Sequence, residues 1–317
     1  MERLRRQTAA GEGVRWSYGY RTTGGASEAT ALAALALHAR ADSPDLVRDA
    51  LDWLANIQDE RGGVPATPQL AEPLWPTALA LAASARVRGV ENDFAVQASR
   101  HLLTTAGTVY PRDSLFGHDP SIKGWSWVAE THSWVEPTGY AMIGLRAAGH
   151  AGHARVAEGA RLLRDRCLPE GGWNYGNTRV LGNLLRPFPA TTGVALLALV
   201  GEERTDEVER SLDYLRGAVR SIRSPISLGW SLMALRAWGE AMPEGDDWIS
   251  DSVTHPRRRP DPMHDALLVL ALSDTEPMLW GAAGQRSAAD SGTQIGADTP
   301  AVGLPNGAED EGVVDGD

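Results

Sequence analysis

The residue types that could carry chemistry are concentrated between positions 124 and 140, where tryptophan, histidine and glutamate alternate. Pro137 is typical of the first position of a helix, which places Glu136 at a helix N-terminus. The helix dipole favours a carboxylate there, and a carboxyl group beside a histidine is suited to general acid–base catalysis. We therefore predict that Glu136 is the acid or base and that His132 orients it. The aromatic wall beside them would consist of Trp125, Trp127, Trp134 and Tyr140.

A second polar and aromatic stretch follows at positions 171–179, ahead of a helix that Pro187 and Pro189 predict. Its candidates for contact with a substrate are Trp173, Asn174, Tyr175 and Asn177, and Trp75 joins them from an earlier turn. A structural interpretation stays open for both stretches. Asparagine commonly forms turns, and carboxylates are common at helix starts without catalysis.

Tryptophan is unusually frequent, with 11 Trp against 3 Phe. A tryptophan face stabilises a cation by about 0.5–2 kcal/mol, and it also stacks on sugars or isoprenoid chains. A cavity lined by tryptophan with few acids is therefore suited to a carbocation or a polyene. Further glutamates, Glu28 and Glu72, recur just before or at other predicted helix starts.

The elements that must position these residues repeat along the chain. Runs rich in alanine and leucine predict helices buried on all sides at 27–39, 74–87, 137–148, 190–200, 225–238 and 262–272. Amphipathic helices are predicted between them at 45–59, 93–105, 152–167 and 206–220. No period-2 pattern predicts a strand. The alternation predicts an all-α fold, a single α/α toroid (barrel) of about five to six helical hairpins with an apolar inner ring and an amphipathic outer ring.

The hairpins carry a short motif that resembles a known repeat. It contains Ala50, Trp53, Leu54, Gln58 and the pair Gly62-Gly63, and it recurs in part as Gly171-Gly172-Trp173. This pattern resembles the QW-type repeat of the prenyltransferase and squalene-oxidase repeat superfamily, which includes terpenoid cyclases and protein prenyltransferases. Val64 stands where the repeat has tryptophan. The resemblance covers residues 15–275 and implies the α/α toroid, with an isoprenoid substrate in its central cavity.

Two chemistries of that superfamily have recognisable motifs. Triterpene-type cyclases protonate their substrate through a DxDD motif, and the nearest acidic pair here, Asp246-Asp247, is predicted to lie in a loop. Protein prenyltransferases bind zinc through an Asp-x-Cys pair and a distant histidine, which would correspond to Asp165, Cys167 and His264. Asp165 and Cys167 close an outer helix instead of opening an inner one, so we expect no cofactor and a packed cysteine.

Composition limits the remaining function classes. The net charge of −11 argues against nucleic acid as a partner, because phosphate binding needs a basic surface. No apolar run approaches the ~20 residues that span a bilayer, which leaves at most peripheral membrane contact. The N-terminus lacks the apolar region of a secretory signal, which predicts a cytoplasmic protein. We expect a flexible N-terminus at 1–14, the toroid domain at 15–280 and a disordered acidic tail at 281–317.

Three functional hypotheses follow. The first is an isoprenoid- or terpenoid-processing or -binding protein with an aromatic-lined central cavity and, if it is an enzyme, proton-initiated cyclase-like chemistry. The second is a non-catalytic binding or scaffold protein on the same toroid, with a protein partner. The third is a carbohydrate-active α/α barrel, which needs two carboxyl groups about 5–9 Å apart. Glu136 with Glu130 or Glu72 is the pair to examine for that chemistry.

Overall fold

The computed structural model describes residues 1–6, 13–19, 24–70, 72–73, 75–113, 117–256 and 258–273. The described residues belong to one compact unit. The predicted acidic tail at 281–317 lies outside the described residues. The elements in chain order are α1 (Glu2–Arg6), α2 (Ser27–Ala39), α3 (Pro44–Asn56), α4 (Pro76–Arg88), α5 (Asp93–Thr104), α6 (Val135–Ala147), α7 (Ala154–Asp165), β1 (Arg179–Val180), β2 (Asn183–Leu184), α8 (Pro189–Ala198), α9 (Asp206–Val219), α10 (Pro225–Ala237), α11 (Gly245–Thr254) and α12 (Pro262–Leu270).

The inner ring is closed by six helices. Helices α2, α4, α6, α8, α10 and α12 pack against one another in this order, and α12 packs against α2. Helices α3, α5, α7, α9 and α11 each pack on the preceding inner helix, and α1 packs on α12. This arrangement confirms the all-α toroid with an apolar inner ring and an amphipathic outer ring. None of the described helices is long and apolar enough to cross a membrane.

Three local elements differ from the sequence-based expectations. The acidic pair Asp246-Asp247 lies in the first turn of α11 and not in a loop, because acidic side chains are favoured at a helix N-terminus. A short antiparallel hairpin joins β1 to β2. All four of its residues are exposed, so the sequence contains no alternation that would reveal it. Helix α1 occupies part of the segment that we expected to be flexible, and its Leu4 is fully buried.

The same pair of hydrogen bonds recurs at the start of four inner helices and fixes the preceding turn to the helix. A backbone N–H in the preceding turn donates to a threonine hydroxyl near the helix start, and that hydroxyl donates to the carbonyl of the same turn residue. The pairs, with their N···Oγ1 distances, are Trp16–Thr30 at 3.0 Å, Val64–Thr77 at 2.8 Å, Trp125–Thr138 at 3.0 Å and Trp173–Thr192 at 2.9 Å. The recurrence of this bond pair is the structural form of the sequence repeat.

The tryptophans of this repeat also tie each turn to the outer ring. Their indole Nε1 atoms donate to a carbonyl oxygen of an outer helix, and the pairs are Trp16 with Leu4 at 2.8 Å, Trp125 with Leu102 at 2.9 Å and Trp173 with Leu163 at 2.6 Å. Val64 occupies the equivalent position without an indole. The bond to Leu4 shows that α1 takes the place of an outer helix ahead of α2.

Close contact between inner helices depends on glycine. A Cβ atom at Gly144 of α6 would lie 2.4 Å from the carbonyl oxygen of Ala78 in α4. We expect Gly144→Ala to lower the free energy of unfolding by about 1–3 kcal/mol, because helix backbones must move apart to admit the methyl group. Urea unfolding measures this change.

Gly217 in α9 provides the matched control, because nothing lies within 4 Å of its Cβ position. Gly217→Ala should raise the free energy of unfolding by roughly 0.5–1 kcal/mol, since alanine is favoured over glycine inside a helix. Equal effects of the two substitutions would contradict the close helix packing described here.

Candidate functional site

The first turns of the inner helices carry a group of acidic and aromatic side chains. Glu28 lies in the first turn of α2, Glu136 in that of α6, and Trp75 directly precedes α4. These residues interact with one another and with residues at the starts of α8 and α12. The N-termini of α2, α4, α6, α8 and α12 therefore lie at one end of the ring. We call this group the central cluster, and its members are Tyr18, Glu28, Trp75, Trp127, Glu136, Tyr140 and Trp230.

Glu28 accepts a hydrogen bond from a tyrosine. The Tyr18 hydroxyl donates to its Oε2 at 2.8 Å. Burial raises the pKa of Glu28, and the charge of Asp261 raises it further, whereas the bond from Tyr18 lowers it. The Trp75 indole N–H also lowers this pKa, although it lies outside hydrogen-bonding geometry and has no hydrogen-bond partner among the described residues. The net effect is a raised pKa.

Glu136 is held from the neighbouring helix α8. The Thr191 hydroxyl donates to its Oε1 at 2.9 Å. Burial raises the pKa of Glu136, the bond from Thr191 lowers it, and the charge of Glu28 raises it again. Desolvation therefore outweighs the hydrogen bond from Thr191 at this position. The influence of Glu28 indicates that the two carboxyl groups, which come from α2 and α6, are close enough for their charges to interact.

Four aromatic rings form a continuous contact chain beside these acids. The ring centroids of Trp75 and Trp127 are 5.1 Å apart, those of Trp127 and Tyr140 are 6.2 Å apart, and those of Tyr140 and Trp230 are 5.7 Å apart. Burial, followed by the charges of Glu28 and Glu136, raises the pKa of the Tyr140 hydroxyl. The phenol therefore stays neutral and acts as a hydrogen-bond donor or a π face, not as an anion.

A cavity of about 400 Å³ adjoins the central cluster through Trp75 and Trp127. Its outer part contains Glu72 and Glu130, both exposed, together with Arg61 and His101. Glu136 is absent from its described lining, although the next residue along the chain contributes to it. For the pair of carboxyl groups to be examined, the electrostatic influence of Glu28 on Glu136 adds Glu28 as a partner for Glu136.

The structure separates the residues that the sequence grouped around Glu136. Trp75, Trp127 and Tyr140 join it in the central cluster. His132 and Trp134, whose rings are 4.2 Å apart, line a different cavity of about 350 Å³ that also includes Asn177 and the buried Arg166. Burial and the Arg166 charge lower the pKa of His132, and no described contact links this imidazole to Glu136.

Three of the remaining predicted substrate contacts, Trp125, Trp173 and Asn174, make structural interactions in the turns, and Trp125 also lines the 400 Å³ cavity. Trp125 and Trp173 are buried and donate to outer helices, and the Arg155 guanidinium lies 4.0 Å from the Trp125 ring centroid. Asn174 shapes its own turn, because its Oδ1 accepts from the Gly176 N–H at 2.9 Å. Tyr175 is 54% exposed.

The sequence analysis did not select three members of the central cluster as site residues, namely Tyr18, Glu28 and Trp230. Glu28 and Glu136 both lie one residue into an inner helix, at positions 28 and 136 of helices that begin at Ser27 and Val135. Alignment of the inner helices on their first residues would have revealed this pair. Trp230 lies inside the apolar run of α10, where nothing in the sequence distinguishes it from core residues.

The residues considered for zinc do not converge. Cys167 lies just after α7, where its Sγ contacts the Ser211 hydroxyl at 3.7 Å. Asp165 accepts from the Asp119 N–H at 2.9 Å and pairs with Arg166. Within the part of the chain that the structure describes, no three His, Cys, Asp or Glu residues form a group that could hold a metal ion.

The chain resembles solved structures in fold. No protein-family model and no curated protein matches its sequence. An ent-copalyl diphosphate synthase from Streptomyces platensis is 19% identical, with a TM-score of 0.51 over 77% of this chain. The chain spans 49% of that synthase.

Two enzymes of carbohydrate chemistry have the same fold. An alpha-amylase from Clostridium perfringens is 9% identical over 88% of this chain and 96% of its own, with a TM-score of 0.57. A reducing-end xylose-releasing exo-oligoxylanase is 15% identical over 81% of this chain and 82% of its own, with a TM-score of 0.50. At such low identities these likenesses establish the α/α toroid and leave the function to the side chains of the site.

Because burial raises the pKa of Glu136, its ionisation destabilises the folded protein. The folded-state pKa lies above the ordinary value of 4.5, so the folded state binds more protons than the unfolded state between these two values. The protonated carboxyl group therefore makes its full contribution to the free energy of unfolding below about pH 4.5. This contribution is lost as the pH rises through the folded-state pKa. We expect Glu136→Gln to be more stable than the wild type at neutral pH, with a difference that shrinks towards low pH. Urea unfolding at a series of pH values measures it, and parallel curves would contradict a buried carboxyl group.

Proposed function

We propose that the toroid binds an isoprenoid hydrocarbon chain against the central cluster and that Glu136 starts its conversion by donating a proton. The observation that carries the proposal is the pair of half-buried acids with raised pKa values beside four contacting aromatic rings. An acid with a raised pKa keeps its proton to a higher pH than an ordinary carboxyl group does, and aromatic faces stabilise the cation that protonation creates.

The two acids would have different roles. Glu136 accepts one hydrogen bond from a neutral hydroxyl and faces the charge of Glu28, so it is the better proton donor. Glu28 accepts from Tyr18, which favours its ionised form within the pair. Transfer of the Glu136 proton to a carbon–carbon double bond would form a new C–H bond and a carbocation. Loss of a proton from a neighbouring carbon to a carboxylate would restore neutrality, so the net reaction is an isomerisation or cyclisation without a cofactor.

The fold comparison offers limited support. The ent-copalyl diphosphate synthase, whose product is a terpenoid by name, shares the toroid. A shared fold does not by itself determine function. The apolar surfaces of Trp75 and Trp127 in the 400 Å³ cavity are consistent with a hydrocarbon ligand.

Mass spectrometry of organic extracts from purified protein tests the binding step. We expect wild type and Glu136→Gln to carry an isoprenoid and Trp127→Ala to have lost it. Trp134→Ala is the matched control, because Trp134 lines the separate 350 Å³ cavity. If the extract is empty, titration of the wild type with a linear polyprenol provides the same comparison. Equal retention or affinity in the two tryptophan variants would contradict binding at the central cluster.

Glycoside hydrolysis is a second candidate, favoured by two carboxyl groups whose charges interact. Glu136 would protonate the leaving oxygen and Glu28 would act as base or nucleophile, while the tryptophans stack on sugar rings. The amylase and the oligoxylanase that share the fold are consistent with this chemistry. Release of reducing ends from xylo- or malto-oligosaccharides, lost in Glu136→Gln, would select this function over the first.

A further inference from the structure

A basic cavity of about 440 Å³ lies between α10, α11 and α12, away from the residues of the central cluster. Its charged and ionisable lining residues are Arg223, His255, Arg258, Arg259 and His264, and no carboxylate belongs to its described lining. A volume of this size is within the range of small-molecule sites. In a chain with a net charge of −11, such a concentration of cationic side chains points to an anionic ligand.

Arg258 is the buried component of this cavity. Its side chain is only 5% exposed, and it donates to the carboxylate of Asp265, which is itself buried. The Arg258 Nε and Nη1 atoms are shielded from solvent and have no hydrogen-bond partner among the described residues. A guanidinium group carries five N–H donors, and buried donors without acceptors destabilise a protein. Among the described residues these two donor atoms and the Oδ2 atom of Asp265 are all buried without a hydrogen-bond partner.

The start of α10 adds donors from the backbone. Ser224 precedes the helix and makes no capping hydrogen bond with its side chain, so the first N–H groups of α10 have no side-chain acceptor at this position. Ser224 and the following Pro225 both line the cavity. The positive end of the helix dipole thus adds to the field of the arginines.

The rest of the cavity is preorganised. The Ser252 hydroxyl of α11 donates to the Arg223 carbonyl oxygen at 2.8 Å, which fixes the turn that carries Arg223. Arg223 Nε also lies 3.3 Å from Asp251, an ion pair on the solvent side of α11. Asp251 and Asp265 each neutralise one arginine, whereas Arg259 has no described ion pair, so the cavity retains positive charge.

We propose that this cavity binds a phosphate or diphosphate group, with Arg258 and Arg259 as its principal contacts. Tetrahedral oxyanions match the fork of donors that arginine presents, and several oxygens on one group can satisfy Arg258, Arg259 and the start of α10 together. The group belongs either to a free anion or to a phosphate ester. The inference does not depend on the proposed reaction at the central cluster.

Isothermal titration calorimetry of the full chain with inorganic pyrophosphate tests the proposal, at an ionic strength of about 0.15 M so that general charge effects are screened. The double variant Arg223→Gln/Arg259→Gln should weaken binding by about 10-fold or more, because charge-assisted hydrogen bonds are lost. The control Arg100→Gln/Arg161→Gln removes the same charge from exposed positions on outer helices and should bind as the wild type does.

Arg258→Lys provides a second test, since it retains the charge beside Asp265 but removes the guanidinium fork. It should also weaken binding while circular dichroism remains that of the folded wild type. Titration with inorganic phosphate and with phenyl phosphate distinguishes a free anion from an ester, because tighter binding of phenyl phosphate indicates an ester. Failure of the wild type to bind any of the three ligands, or equal affinities of the double variant and its control, would overturn the proposal.

Discussion

Replacement of Glu136 by glutamine is expected to lower turnover of a linear isoprenoid substrate by about 10²- to 10⁴-fold, the usual contribution of a general acid. Glutamine has nearly the same shape, and its carbonyl oxygen can still accept the hydrogen bond from Thr191. The substitution therefore removes the transferable proton and leaves the geometry. Gas chromatography with mass spectrometry of the products measures the rate.

The control for this experiment is Glu130→Gln, the same chemical change at an exposed residue of the adjoining cavity. It should retain the rate of the wild type. Unchanged turnover in Glu136→Gln would remove Glu136 from the reaction. A loss in both variants would indicate that the outer cavity, and not the central cluster, carries the chemistry.

The origin of the proton provides an independent readout. In deuterated water the Glu136 carboxyl group exchanges with solvent, so a product formed by proton transfer to carbon should carry one deuterium that does not wash out. Products formed by prenyl transfer to an acceptor would gain mass from the acceptor instead. This measurement separates proton-initiated chemistry from group transfer even where both convert the same substrate.

The helical architecture was predictable because the same sequence pattern indicates it several times along the chain. Each inner helix is apolar on all sides, each outer helix is amphipathic, and their alternation repeats often enough to predict the two rings. Helix α1 escaped prediction because five residues are too few for a periodic pattern. Its position depends on tertiary contacts, namely the burial of Leu4 and the bond that its carbonyl oxygen accepts from Trp16.

The central cluster was only partly predictable because neighbours across a ring are distant in sequence. Glu28 and Glu136 belong to α2 and α6, and only the arrangement of the helices in the ring brings their charges within reach of each other. His132, in contrast, is close to Glu136 in sequence but lies in the preceding turn. That turn pairs Trp134 with Trp125 and directs the imidazole into another cavity.

Tryptophan has two roles in this toroid, and the partner of the indole N–H distinguishes them. In Trp16, Trp125 and Trp173 the N–H donates to an outer helix, which makes the ring part of the architecture. In Trp75 the N–H lies near the Glu28 carboxylate without a hydrogen bond among the described residues, and the ring contacts Trp127. Residue type and spacing are similar in both sets, so the sequence alone does not distinguish the two roles, and Trp125 also lines the cavity of about 400 Å³.

Because the Trp173 ring is part of the architecture, its removal should strongly destabilise the protein. We expect Trp173→Ala to lower the free energy of unfolding by about 3–5 kcal/mol, because the ring is 1% exposed and its removal leaves a cavity. The Leu163 carbonyl oxygen also loses the donor that lies 2.6 Å away. A loss of this size should lower the melting temperature on the order of 10 °C. Differential scanning calorimetry measures both quantities.

Tyr175→Ala is the matched control, because Tyr175 lies two residues along the same turn, was assigned to the substrate on the same grounds, and is 54% exposed. Its removal should change the free energy of unfolding by less than about 1 kcal/mol, as is usual for exposed positions. Equal melting temperatures for the two variants would contradict the structural role of Trp173. If Trp173→Ala were as stable as the wild type and had lost a bound isoprenoid, the ring would belong to the ligand site after all, and the outer-helix bond would not be its main function.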